Sequence, residues 1–78
     1  MDTYMKQAVA RALSKIVDPN EAMMMVEEAS DKKFLENIIN IIRDRYQGES
    51  RSILRRLEEA LEIRDPILAE KLRRAYKR

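Results

Sequence analysis

Carboxylates are the side chains of this sequence with the number and spacing to act at a reacting centre. Glu27-Glu28, Glu58-Glu59 and Glu62 stand in small groups, and paired carboxylates hold divalent cations or exchange protons. Glu58 and Glu62 are four residues apart, which stacks them on one side of a helix. They share that side with Arg51 and Arg55, so a solvated, salt-bridged face accounts for them. Other catalytic groups are missing. The chain has no His and no Cys, hence no imidazole base near neutral pH, no thiol nucleophile and no His- or Cys-ligated metal. Thr3, Ser14, Ser30, Ser50 and Ser52 have no evident activating base beside them. Gly48 is the single glycine and cannot build a loop that cradles phosphate. The expectation is a protein that is not an enzyme and needs neither cofactor nor metal.

Binding chemistry is the alternative, and cations offer one form of it. Residues 1–42 carry five basic and seven acidic groups, whereas residues 43–78 carry eleven basic and seven acidic. Phosphate contacts need such cations gathered on one accessible face. Arg73, Arg74, Lys77 and Arg78, with Lys71 before them, close the chain with no acid after Glu70. Arg51 and Arg55 are auxiliaries whose charge Glu58, Glu59 and Glu62 partly cancel. The competing reading is that cations at a helix C-terminus complement its macrodipole. A groove-reading helix-turn-helix around Gly48 is not expected. The usual pattern places a small residue four positions before the turn glycine and apolar residues on either side of it, but these positions hold Asp44, Gln47 and Glu49.

Apolar side chains offer the other form. Met23, Met24, Phe34 and Ile41 are more than a five-helix monomer of 78 residues easily hides. Methionine is adaptable and common at binding surfaces, and an exposed apolar patch marks a subunit or partner interface. The expected function is therefore a small helical interaction module that self-associates and binds a protein partner. The runner-up is a sequence-tolerant nucleic-acid-binding module using the basic C-terminal half.

These residues must be positioned by helices. Tyr4, Met5, Ala8, Val9, Ala12, Leu13, Ile16 and Val17 recur at helical spacing and predict a first helix over 3–17, capped by Asp2. Asp18-Pro19 with Glu21 is a cap, a first-turn proline and a capping-box acid. It starts a second helix running to 29 with the stripe Ala22, Met25, Val26 and Ala29. Ser30 caps a third over 31–46, whose stripe Leu35, Ile38, Ile39, Ile42 and Tyr46 is widened by Phe34 and Ile41. A helix apolar around so much of its circumference sits at the centre of a bundle. Gly48 supplies its left-handed stop. Ser50 caps a fourth helix carrying Ile53, Leu54, Leu57, Ala60 and Leu61. Asp65-Pro66 starts a fifth carrying Leu68, Ala69, Leu72, Ala75 and Tyr76. Ala12-Leu13 before Asp18-Pro19, and Ala60-Leu61 before Asp65-Pro66, resemble the helix joint of tetratricopeptide repeats. The two lie 47 residues apart, against a period of about 34 in that repeat, so no repeat array is expected.

The fold expectation is all-α: one domain over 1–78, a bundle of four to five short helices with the third, about 31–46, central. At this length only about 60% of the unfolded surface is buried, and self-association is one route to further stability. The opening MDTYMKQ is polar and acidic rather than signal-like, and Ala22 to Val26 is the longest apolar run, so no membrane span and a cytoplasmic location are expected. Abundant Arg, Lys and Glu with one Gly match thermophile composition; three consecutive methionines count against it.

Overall fold

Each helix begins and ends where local chemistry requires. The computed structural model describes residues 3–77. Among these the chain forms five α-helices and no strand: α1 Thr3–Leu13, α2 Pro19–Glu28, α3 Phe34–Arg45, α4 Ser50–Glu62 and α5 Pro66–Tyr76. The expected cap Asp2 lies outside the described residues. α1 stops four residues before the expected Val17. Its continuation tightens into i→i+3 bonds, with Lys15 N–H donating to Ala12 O at 3.2 Å and Ile16 N–H to Leu13 O at 3.0 Å. Pro19 explains the stop: it drives Asp18 into extended backbone, φ −54° and ψ 132°. Ile16 and Val17 still pack against the core from this tightened turn.

Two further boundaries differ from expectation. Ser30 does not cap α3; the helix begins later, with Lys33 at the cap position in left-handed backbone at φ 57°. The Asn37 amide stabilises this detour by donating to Ser30 O at 3.3 Å and Lys32 O at 3.0 Å. Ser50 is the first residue of α4 rather than its cap; Glu49 takes the cap position without a side-chain bond. The chain reaches it through Gly48, whose φ of +88° suits glycine, and a Glu49 N–H bond to Tyr46 O at 2.9 Å. The two Asp-Pro joints also behave differently. Asp65 accepts from Leu68 N–H at 3.0 Å, a true N-cap. Asp18 occupies the same position before α2 but makes no capping bond.

Packing follows the apolar stripes. α3 lies against α2, α4 and α5, the central position expected of it, and α4 shares the centre by packing on α1, α3 and α5. The buried set runs through all five helices and includes Val9, Leu13, Met25, Ile38, Ile42, Leu54, Leu57 and Leu72. No charged side chain is buried among the described residues. The bundle measures 27 × 23 × 22 Å, and its buried side chains form one continuous cluster.

Ile38 and Ile42 are both fully enclosed. Replacing either with Ala leaves a cavity among three neighbouring helices and should cost about 2–4 kcal/mol; thermal or denaturant melts measure it. The joints supply a contrast. Asp65→Ala should cost about 1 kcal/mol, and Asp18→Ala should stay within about 0.5 kcal/mol because no capping bond is lost. Equal losses at the two sites would refute this assignment of caps.

Candidate functional site

The apolar surface is smaller on α3 than the sequence suggests and larger elsewhere. Met23 and Met24 are 59% and 53% exposed, on the outer side of α2. Phe34 is a core residue at 3% exposure, and Ile41 is half-buried against the core. Phe34 is therefore removed from the expected surface: the late start of α3 places it at the first turn, on the same stripe as Ile38. Sequence reasoning missed Ile63 and Ile67, exposed to 83% and 72%. Both lie off the stripes of their helices and flank Asp65-Pro66, and an apolar residue off the stripe beside a joint is the signal that finds them.

The basic candidates divide into two groups. Arg51 and Arg55 of α4 come together with Lys77 around a hollow that the Tyr76 ring also lines. Lys77 Nζ stands 5.8 Å from the centre of that ring, within cation–π range. Arg43 approaches from α3 and donates to Tyr76 O at 3.3 Å, satisfying a carbonyl at the end of α5. Lys71 and Arg74 lie beside a separate hollow with Ile67. The last turn of α5 is not uncompensated. Glu70 bonds to Arg73 and to Arg74, the latter at 2.9 Å, and Arg73 stands 3.9 Å from Glu58. These guanidinium bonds hold the Glu70 carboxyl below its ordinary range. Arg78 lies outside the described residues.

A groove runs between α1 and the end of α4. Ala8, Ala12 and Ala60 line its floor, and Arg11, Lys15 and Arg64 line its rim. Alanine at these crossing positions keeps the backbones close and leaves the space between them unfilled. Asp65 also borders the groove, but its carboxylate is engaged by the α5 amide. No ion-pair partner is found for the three rim cations among the described residues.

Two tyrosines tie helices together through carboxylates. Tyr46, closing α3, donates to Glu21 of α2, and Tyr76, closing α5, donates to Glu58 of α4. Each phenol is pushed up to about 12, first by burial and then by the carboxylate that accepts its hydrogen bond. Asp31 and Lys6 add an ion pair of 2.9 Å between the loop after α2 and α1, which lowers the Asp31 carboxyl.

Among the described residues no three acidic side chains gather as a metal site, and no helix is long and apolar enough to cross a membrane. No protein-family description, characterised protein or solved structure matches this chain.

The tyrosine shifts set an alkaline limit. The folded phenols hold their protons more tightly than free tyrosine near 10, so stability is complete below about pH 10 and falls as pH rises toward 12. In an ultraviolet titration, Tyr46→Phe and Tyr76→Phe should each remove tyrosinate absorbance from the late phase near pH 12. Loss of absorbance from a phase near pH 10, with helicity intact, would contradict the buried donor geometry.

Proposed function

We propose that this chain is a small, non-enzymatic helical interaction module that self-associates and binds a protein partner. The supporting observation is the outer face of α2, where Met23 and Met24 are both more than half exposed. Residues 20, 23, 24 and 27 share this side of the helix, so the two methionines form one patch bordered by Asn20 and Glu27. Paired flexible thioethers on an open helix face suit an adaptable contact. Exposed Ile63 and Ile67 add a second apolar area beside the α4–α5 joint.

A second reading, a sequence-tolerant nucleic-acid-binding module, draws support from one observation: Arg51, Arg55 and Lys77 meet around Tyr76. Cations with an aromatic ring among them suit a single strand, whose phosphates and bases they would engage together. Among the described residues Arg55 is held by an exposed pair with Glu59 at 3.7 Å, a weak tie.

Mass measurement across concentration separates the two readings. In the first, the protein alone forms oligomers, and Met23→Lys with Met24→Lys gives a folded monomer. A wild type that stays monomeric from micromolar to millimolar concentration rejects self-association. In the second, Arg51→Gln with Arg55→Gln and Lys77→Gln should weaken binding to arbitrary DNA or RNA and flatten its salt dependence. Binding that is absent at low salt, or unchanged in that variant, rejects it.

A further inference from the structure

The self-association proposed above has a geometry that the surface charges specify. Residues 18–31 contain five acids, Asp18, Glu21, Glu27, Glu28 and Asp31, and no base. Three are engaged within the molecule: Glu21 by Tyr46, Glu28 by Arg45 at 3.5 Å and Asp31 by Lys6. Glu27 has no such partner among the described residues and stands beside the bare methionines on the exposed side of α2. The α1–α4 groove is its complement in shape and, apart from Asp65 at its border, in charge. It is concave where the α2 face projects, floored by Ala8, Ala12 and Ala60, and rimmed by three cations that have no ion-pair partner among the described residues.

We infer that the groove between α1 and α4 receives the Met23–Met24–Glu27 face of α2 from a second copy of this chain. The methionines lie over the alanine floor, and Glu27 meets Arg11, Lys15 or Arg64. Met23, Met24 and Glu27 are all exposed in the molecule that carries the groove, so one chain does not satisfy its own groove. The two surfaces are different, so the contact is heterologous: each copy offers one face and one groove, and successive copies form a ring or an open filament. This inference rests on the proposed self-association and makes it directional.

Complementary variants test it. One destroys the groove, Arg11→Glu with Arg64→Glu. The other destroys the face, Met23→Lys with Glu27→Lys. All four positions are exposed, and circular dichroism checks that each variant is folded. Arg11→Ala with Arg64→Ala and Glu27→Ala are milder substitutes if a reversal unfolds the chain. Wild-type mass should grow with concentration beyond a dimer, and salt should oppose that growth, because the rim is ionic. Each reversal variant alone should associate at least about tenfold more weakly, since like charges then oppose one another across the contact. An equimolar mixture retains one intact face and one intact groove, and its reversed face and reversed groove carry opposite charges, so association lost in each variant alone should return in the mixture. A groove variant that assembles like the wild type, a mixture that stays monomeric, or a salt-indifferent oligomer overturns this geometry while self-association stands. A wild type that is monomeric at millimolar concentration overturns both.

Discussion

Helices of 10 to 13 residues do not persist in water alone, because nucleation is costly and too few hydrogen bonds repay it. Mutual burial of apolar stripes is therefore the constraint on which this structure depends, and α3 and α4 each bury four large apolar side chains. Ile53, Leu54, Leu57 and Leu61 are buried along one helix that touches α1, α3 and α5. Burying a leucine or isoleucine contributes roughly 1.5–3 kcal/mol, so this stripe alone supplies a substantial share of the driving force. α2 is the exception in placement. It packs on α1 and α3 but not principally on α4, and its stripe includes two alanines, Ala22 and Ala29. It buries Met25 and Val26 as its larger inward side chains and leaves two methionines outside.

Polar contacts then fix what apolar burial leaves free. Leucine and isoleucine stripes tolerate sliding; a phenol donating to a carboxylate does not. Tyr46–Glu21 joins the end of α3 to the start of α2, and Tyr76–Glu58 joins the end of α5 to α4. In both, the ring closes the edge of the core while its hydroxyl reaches an acceptor, the arrangement a half-buried tyrosine requires. Arg45–Glu28 adds a second tie two turns further along α2. Glu21 and Glu28 therefore contact α3 and the residue that closes it from both ends of the α2 face next to Met24.

Much of the fold was legible because helical periodicity and proline placement are local signals. The stripes of α4 and α5 appear in the sequence as they appear in the core, and Pro19 and Pro66 mark two helix starts correctly. What was not legible depends on tertiary contact. A serine or aspartate before a helix is a candidate cap, but the backbone must also aim its oxygen at an amide; Asp65 does so and Asp18 does not. Ser30 lost its expected role because Lys33 adopts left-handed backbone and Asn37 binds the loop carbonyls instead. The candidate sites were less legible still. Met23 and Met24 were recognisable as off-stripe residues, whereas Phe34 depended on where α3 begins. Glu70 precedes the arginines that it neutralises, so counting acids only after it made the last turn of α5 look more basic than it is.

The surface electrostatics give the remaining step. A net charge of +2 on 78 residues provides little global repulsion between copies, so local patches decide whether they approach. Acids and bases are interspersed over α4 and α5, where Arg55, Arg73 and Arg74 each have a carboxylate nearby. They are segregated at the other end of the chain. The stretch 18–31 is acidic without a base, and the α1 side that lines the groove carries Arg11 and Lys15 without an acid. Charges that are neutralised within one molecule have little left to offer a partner. Those left unpaired beside exposed apolar side chains provide both an orienting field and an area to desolvate, the combination that makes a contact specific rather than merely adhesive.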